Sequence, residues 1–230
     1  MSRTDRGRHA GRLASQGREV GILVGNLLLV ALFGYLVGSF STAVVVGRLV
    51  YRADIRTLGS GNAGAANMLR TLGWKPAVLV LAVDVAKGFV PTLLAPTLQL
   101  VELTSFAESL PLVAGAAAVI GHCFPLFAGF RGGKGVATAA GMGLALYPGT
   151  VFICVAVFTA IAVATRFVSL ASVGASIALP VALLVGRFGF GHQTSGETLV
   201  ATTLLAGFIV FTHRANVSRM WQGTEPTLGR

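Results

Sequence analysis

The sequence predicts an all-α polytopic membrane protein: a seven-helix transmembrane bundle whose motif loops are short or re-entrant and lie on the cytoplasmic side. Of its 230 residues, 54% are hydrophobic and only 11% are charged, whereas soluble domains carry about 25% charged residues. The mean hydropathy is +0.77. Apolar stretches, several of them near the roughly 20 residues that cross a bilayer, alternate with short polar segments. Neither an internal repeat nor a soluble second domain is evident.

Residues 1–19 contain five arginines and few apolar side chains, which predicts a disordered leader. The apolar run after it is too long for the hydrophobic region of a cleaved signal peptide, so we interpret it as a retained span. Residues 20–212 are predicted to form the membrane domain, and residues 213–230 a cytoplasmic tail that carries the last motif. The predicted spans are 20–47, 76–98, 110–127, a short helix at 136–146, 150–165, 168–185 and 198–211.

The distribution of charge predicts how these helices are oriented. Seven crossings place four polar segments on one side, and these hold most of the Lys and Arg residues, which marks that side as cytoplasmic. The amino terminus and its arginines then lie outside, and we give the summed loops more weight than the leader. The four segments are 48–75, 131–134, 166–169 and the tail from His213, while Glu102, Glu108 and Glu197 fall on the opposite side.

Composition also excludes several classes of function. The net charge of +10 favours cytoplasmic anchoring and anionic ligands over nucleic acid, because no basic stretch is interleaved with aromatic residues that could stack on bases. Cys123 and Cys154 lie in apolar runs, which argues against a disulfide framework. His122 has only Cys123 beside it and no second His/Cys pair at ligand spacing, so we predict no metal site and no cofactor.

Residues 127–138, FAGFRGGKGVAT, are the strongest candidate for a binding site. Their glycines free the backbone, so that consecutive N–H groups can turn toward one anion, and Lys134 adds a positive charge. The loop is not a Walker A motif, because Gly135 stands where that motif needs Ser or Thr. The alternative is a simple helix connection whose lysine marks the cytoplasmic side. The glycines concerned are Gly129, Gly132, Gly133 and Gly135.

Residues 54–70, DIRTLGSGNAGAANMLR, form a second glycine-rich segment on the same predicted side. Small residues let the backbone approach a ligand, Ser and Asn donate hydrogen bonds to phosphoryl oxygens, and an arginine offers a bidentate fork. A tight turn followed by a helix cap is the alternative. The repetition of a glycine-rich, basic segment favours a phosphate site. Its candidate residues are Gly59, Ser60, Gly61, Asn62, Asn67 and Arg70.

Two pairs of polar residues lie within predicted spans. Asp84 and Lys87 are three residues apart, so they share a helix face and are predicted to form a structural ion pair that lowers the cost of charge at membrane depth. Direct contact with a substrate is the alternative, but the pairing already explains both residues. Ser169 and Ser172 show the same spacing. Ser172 is a weaker ligand candidate, because serines in membrane helices often bond to their own backbone carbonyls.

The tail presents His213 and Asn216 on one helical face, followed by Arg219 and Glu225. Juxtamembrane anchoring explains the arginine but not the histidine or the asparagine. The basic loops suit a phosphorylated ligand, and apolar helix walls suit an acyl chain, worth about 0.8 kcal/mol per buried CH₂. Together they predict acyl transfer to a small phosphorylated alcohol. The nucleophile elbow of serine hydrolases is missing around Ser60.

A transporter or flippase for an anionic lipid or a phosphorylated solute is the alternative function. Such a protein also uses basic groups and broken helices. Its inverted repeats are absent here, and the polar clusters are predicted to gather at one face of the membrane. The sequence pattern therefore favours an enzyme.

These clusters, in this order, resemble the bacterial membrane glycerol-3-phosphate acyltransferases that use acyl phosphate as donor, the PlsY family. The resemblance covers about residues 38–225. It implies acyl phosphate and glycerol 3-phosphate as substrates, lysophosphatidate and phosphate as products, and the first step of phospholipid synthesis at the bacterial inner membrane. The matching segments are GSFSTAVVVGRL, DIRTLGSGNAGAANMLRTLG, DVAKG, GHCFPLFAGFRGGKGVAT, TRFVSLAS and HRANVSRMWQGTE.

The resemblance also implies roles for individual residues. Gly132, Gly133 and Gly135 would cradle phosphate. No protein residue would form an acyl intermediate, and the phosphate of the donor would take the hydroxyl proton. Positioning and charge stabilisation are then the contribution of the protein. The residues that would line the site are Ser60, Arg70, Lys134, His213 and Asn216.

Two positions depart from the pattern of the family. Ala66 stands where its first motif, GATN, has Thr, and Ala215 stands where its third motif, HREN, has Glu. Each change removes a polar side chain, so neither position is counted as functional. The sequence leaves the oligomeric state open, with a monomer as the working expectation.

Overall fold

The computed structural model describes residues 3–99 and 109–227, with side chains from residue 17 onward, and contains no strand within those ranges. Short 3₁₀ turns cover Ile55–Thr57, Ala95–Leu98 and Leu126–Ala128. The α-helices of these ranges are α1 (Arg3–Gly38), α2 (Thr42–Tyr51), α3 (Ala65–Leu72), α4 (Trp74–Leu94), α5 (Ser109–Cys123), α6 (Val136–Leu146), α7 (Pro148–Thr165), α8 (Val168–Phe190), α9 (Gly196–Thr212) and α10 (Arg214–Trp221).

The predicted class, an all-α polytopic membrane protein, is confirmed. In the described part of the chain, five helical stretches are long and apolar enough to cross a membrane, and α9 with α10, bent by 50°, would make a sixth. Helix α6 is about 16 Å long, about half the hydrocarbon thickness of a bilayer. The count of seven is therefore approximate, since it is reached only if both α6 and the bent pair are included.

The amino-terminal region differs from its prediction. Helix α1 begins at Arg3, so the backbone of the segment predicted as a disordered leader is helical from that residue onward. The segment continues directly into an apolar span, and five of its residues are arginine, a good helix former. The predicted span 20–47 is broken, because α1 ends at Gly38 and α2 begins at Thr42. The division into leader, membrane domain and tail stays a prediction. Glu102 and Glu108 lie outside the described residues.

Glycines allow the central helices to pack at backbone contact. A Cβ atom at Gly38 of α1 would lie 2.1 Å from the carbonyl oxygen of Ala118 in α5, and one at Gly88 of α4 would lie 1.8 Å from that of Thr138 in α6. Small residues at such crossings are a common basis of helix association in membranes, where hydrophobic burial gives little driving force. The pairs α1–α5 and α4–α6 thus hold the helices between which the polar loops run.

The polar segments predicted to share one side do gather at one end of the bundle. Arg70 of α3 donates from Nη2 to the carbonyl oxygen of Pro226 at 3.3 Å, and Ser169 of α8 donates to Glu225. At the other end, Ser109 donates from Oγ to Glu197 Oε2 at 3.2 Å. The carboxylate of Glu197 is thus separated from the basic loops.

Replacing Gly88 with Ala is expected to destabilise the bundle, because the added methyl group meets the backbone of α6 rather than a movable side chain. We expect a loss of about 1–3 kcal/mol, measured as a lower midpoint of thermal unfolding in detergent. Gly149→Ala is the matched control, since a Cβ at that position has no neighbour within 4 Å. Equal midpoints for the two variants would contradict this account of the α4–α6 contact.

Candidate active site

Lys134 lies in the loop between α5 and α6 and is held from two directions. Its ammonium donates to Asn216 Oδ1 at the start of α10. Its backbone carbonyl accepts from Thr212 Oγ1, at the end of α9, at 3.1 Å. The glycine-rich loop and the bend between α9 and α10 therefore form one unit, with the ammonium at its centre.

Glu225 connects the elements around this unit. The residue is buried, and Oε1 accepts from Asn216 Nδ2 at 2.6 Å and from Ser169 Oγ. Its Oε2 atom accepts from Arg219 Nε at 2.8 Å. One carboxylate thus ties α8 to α10, and through Asn216 it is linked to Lys134.

Three cations lie near this carboxylate: Arg219 contacts it, Lys134 reaches it through Asn216, and Arg70 donates to the carbonyl oxygen of the next residue, Pro226. Burial lowers the pKa of Lys134 to about 8, an effect opposed by Glu225 and increased by Arg219 and Arg70. Burial likewise holds the pKa of Arg70 below its ordinary value, again opposed by Glu225. Arg70 Nε is buried without a hydrogen-bond partner among the described residues. Three cations and one carboxylate leave two positive charges uncompensated, which suits a phosphate group.

His213 occupies the bend between α9 and α10 and is almost fully buried. Its Nδ1 atom lies 2.8 Å from the carbonyl oxygen of Ile209. A carbonyl oxygen can only accept a hydrogen bond, so Nδ1 carries the proton. When the ring is neutral, Nε2 therefore holds a lone pair that can accept a proton or a hydrogen bond.

Asn67 shapes the first glycine-rich loop from within. Its Nδ2 atom lies 3.0 Å from the carbonyl oxygens of Ile55, Leu58 and Asn62, three acceptors around its two protons, and its Oδ1 atom accepts from the backbone N–H of Ser60 at 2.9 Å. The side-chain amide predicted to bind phosphate is thus engaged by its own loop. This geometry gives Asn67 the part of a scaffold that sets the position of Ser60.

The same loop needs glycine at two positions and is joined to the second loop by an arginine. Gly59 and Gly61 have φ of 54° and 72°, in the left-handed region that glycine occupies without strain. Arg56 donates from Nη1 to the carbonyl oxygen of Ala128 at 2.6 Å and pairs with Asp54 at 2.7 Å. Arg56 therefore fixes the Ser60 loop against the loop that carries Lys134.

The second loop differs from its prediction in where its N–H groups point. Gly132 donates to the carbonyl oxygen of Cys123 at 3.2 Å, and Gly133 donates to that of His122 at 3.1 Å. Both amides therefore complete the end of α5 and do not face a common anion. Gly135, with φ of 86°, precedes α6, whose first turn has N–H groups without intrahelical acceptors.

The remaining predicted residues are divided between the interior and the site. Lys87 Nζ lies 2.7 Å from Asp84 Oδ1 in the interior. In α8 it is Ser169 that contacts Glu225, whereas Ser172 lies one turn further along. Sequence reasoning left Ser169 and Glu225 out of the proposed site. A usable signal existed, because Glu225 is the one acidic residue of an otherwise basic tail.

Glu225→Gln is expected to lower the stability of the folded protein, because it leaves the neighbouring cations without a counter-charge. Because the carboxylate is buried but Arg219 is one-third exposed, we expect a loss of about 1–3 kcal/mol, measured as a lower midpoint of thermal unfolding. Glu197→Gln, at the opposite end of the bundle and bonded to Ser109, is the control and should change the midpoint little. A Glu225→Gln protein as stable as the control would contradict the linking role of the carboxylate.

Comparison with known proteins identifies the family of this chain. Residues 28–223 match the family model described as glycerol-3-phosphate acyltransferase. Relatives named glycerol-3-phosphate acyltransferase include one from Chlorobaculum parvum, 37% identical over 224 residues, covering 88% of this chain and 97% of the relative. Another, from Salinibacter ruber, is 41% identical over 209 residues and covers 87% and 91%.

Two crystal structures of PlsY, an integral membrane glycerol 3-phosphate acyltransferase, share the fold. The glycerol 3-phosphate form has a TM-score of 0.79 and 36% identity, covering 88% of this chain and 96% of that one. The lysophosphatidic acid form has a TM-score of 0.75 and 35% identity, with coverages of 88% and 95%. With the family match over most of its length, this chain belongs to the glycerol-3-phosphate acyltransferase family.

Proposed function

We propose that this protein transfers an acyl group from acyl phosphate to the sn-1 hydroxyl of glycerol 3-phosphate, giving 1-acyl-glycerol 3-phosphate and phosphate. The observation that carries the proposal is the grouping of three cations near the carboxylate of Glu225: Arg219 pairs with it, Lys134 is linked to it through Asn216, and Arg70 donates to the carbonyl oxygen of Pro226 beside it. Both substrates bring a phosphate group to compensate the excess positive charge. The glycerol 3-phosphate and lysophosphatidic acid forms of the related PlsY support the same acceptor and product.

The reaction needs no protein nucleophile. The hydroxyl oxygen of glycerol 3-phosphate attacks the carbonyl carbon of the donor, the bond from that carbon to the phosphate oxygen breaks, and the hydroxyl proton ends on the departing phosphate. Lys134 and Arg70 stabilise the phosphate charge, and the buried His213 accepts a hydrogen bond at Nε2 from the acceptor. Positioning and fixed charge can each supply several kcal/mol of barrier lowering.

We place this site on the cytoplasmic face of the bacterial inner membrane, with the amino terminus outside. The basic loops gather at one end of the bundle, where the contacts Arg70–Pro226 and Lys134–Asn216 lie. The positive-inside rule assigns that end to the cytoplasm. A transporter would instead hold its ligand near the midplane, between inverted repeats.

The function is tested with purified protein in lipid or detergent, supplied with glycerol 3-phosphate and one donor at a time. Acyl phosphate, acyl-CoA and acyl carrier protein are compared while lysophosphatidate and released phosphate are both followed. We expect equal amounts of the two products from acyl phosphate, and none from Lys134→Ala. If folded protein forms no product from any donor, the proposed reaction is wrong.

The acyl transfer is expected to slow above about pH 8. Burial lowers the pKa of Lys134 to about 8, so its ammonium is charged below that pH and neutral above it. We expect kcat/KM for glycerol 3-phosphate to fall about tenfold per pH unit on the alkaline side. Lys134→Arg stays charged and should lack this alkaline decline, whatever its residual activity. A wild-type profile that is flat to pH 10, corrected for donor hydrolysis without protein, would contradict the assignment.

A further inference from the structure

A second charged cluster lies in the interior of the bundle, outside the proposed substrate site. Asp84 and Lys87 of α4 and His122 of α5 are 2%, 4% and 6% exposed. Lys87 Nζ lies 2.7 Å from Asp84 Oδ1, 2.8 Å from the carbonyl oxygen of Phe40 and 3.2 Å from His122 Nδ1. An ammonium has three protons, so these three acceptors satisfy it completely.

Lys87 and Asp84 orient the ring of His122 from its Nδ1 side, since Lys87 Nζ lies 3.2 Å and Asp84 Oδ1 lies 3.6 Å from that atom. Because Lys87 donates to Nδ1, that atom holds a lone pair, and the proton of the neutral ring is on Nε2. The Nε2 edge faces Gly133, where an added Cβ would lie 2.0 Å from Nε2 and 2.8 Å from Cε1. Gly133 also donates its N–H to the carbonyl oxygen of His122 at 3.1 Å. The loop therefore packs against the imidazole of His122 at Gly133, the residue just before Lys134.

We propose that His122 is a positioning residue for acyl transfer: held by Lys87 and Asp84, its ring sets the position of Gly133 and hence of the Lys134 ammonium. The proposal rests on the proposed function, in which Lys134 meets phosphate. Gly133 is not among the residues with positive φ, and its N–H already bonds to α5. Position 133 therefore requires glycine because the ring of His122 leaves no room for a Cβ atom there.

The test is a double-mutant cycle between Gly133→Ala and His122→Asn. The asparagine amide can keep the contact with Lys87 but lacks the ring edge that meets residue 133. Displacing Lys134 through the clash is expected to lower kcat/KM about 100-fold in Gly133→Ala, and His122→Asn alone about 10-fold. The double variant should lose about 10-fold, and not the roughly 1,000-fold of independent effects. His122→Ser replaces His122→Asn if the latter does not fold.

Gly132→Ala is the matched control. A Cβ at Gly132 would lie 2.0 Å from the backbone carbonyl oxygen of His122, which no change of that side chain can move. The loss of activity caused by Gly132→Ala should therefore persist when this substitution is combined with His122→Asn. The proposal would be overturned if Gly133→Ala combined with His122→Asn were as inactive as Gly133→Ala alone. It would also be overturned if His122→Asn restored the activity of Gly132→Ala.

Two further measurements separate positioning from a structural role. In folded His122→Asn, the alkaline limb of the pH profile should move above about 8, because Lys134 becomes less buried while Arg70, Arg219 and Glu225, which face it, are unchanged. A role limited to folding would lower only the thermal midpoint and leave the limb in place, which would overturn the proposal. If wild-type protein forms no product, the proposed function fails, and the coupling of residues 122 and 133 is then decided by thermal midpoints across the same cycle.

Discussion

The geometry of the site depends on one buried carboxylate among three cations. Glu225 holds Arg219 at 2.8 Å and Asn216 at 2.6 Å, and through Asn216 it is linked to Lys134. Without it, three positive groups would be brought together in a poorly solvated region, where like charges repel strongly. With it, the site carries an excess of two positive charges, enough to attract a phosphate dianion without preventing the chain from folding. A second carboxylate at the same place would halve that excess.

A further constraint comes from the membrane, where backbone groups released by a break in a helix must find partners within the protein. The chain has such interruptions between α1 and α2, between α5 and α6 and between α9 and α10. Lys87 satisfies the carbonyl of Phe40 at the first, and Gly132 and Gly133 satisfy two carbonyls at the end of α5. Thr212 bonds to the carbonyl of Lys134 beside the third. The hydrogen bonds that make these interruptions tolerable also position the residues of the site.

Composition and charge were sufficient to predict the class of the fold and the gathering of the basic loops at one end, since both follow from the cost of placing polar groups in hydrocarbon. Spacing likewise brought Asp84 and Lys87 together, because residues three apart share a helix face. Such spacing rules do not predict the contact of Glu225 with Asn216, because the chain turns back in a non-helical segment after α10. Local rules also do not give the direction of an N–H group. The glycines at 132 and 133 predicted N–H groups available to an anion, but both groups donate to carbonyl oxygens at the end of α5. Asn67 was predicted as a ligand because the sequence does not show that the folded loop brings the carbonyl oxygens of Ile55, Leu58 and Asn62 to its side-chain amide.

These constraints together suit the proposed reaction, in which no protein residue acts as a nucleophile. An acyl phosphate already contains a good leaving group, so the protein has to hold charge and orientation in place rather than attack. Lys134 is fixed through its side chain by Asn216, through its carbonyl by Thr212, and through its neighbour Gly133 by the packing against His122. Charge that is held in position before the substrate arrives costs little reorganisation as the reaction proceeds, which is the main source of electrostatic catalysis. The partial burial that lowers the pKa of Lys134 to about 8 is the cost of that arrangement. The same burial strengthens the attraction of the ammonium for phosphate, because the local dielectric is lower than in water.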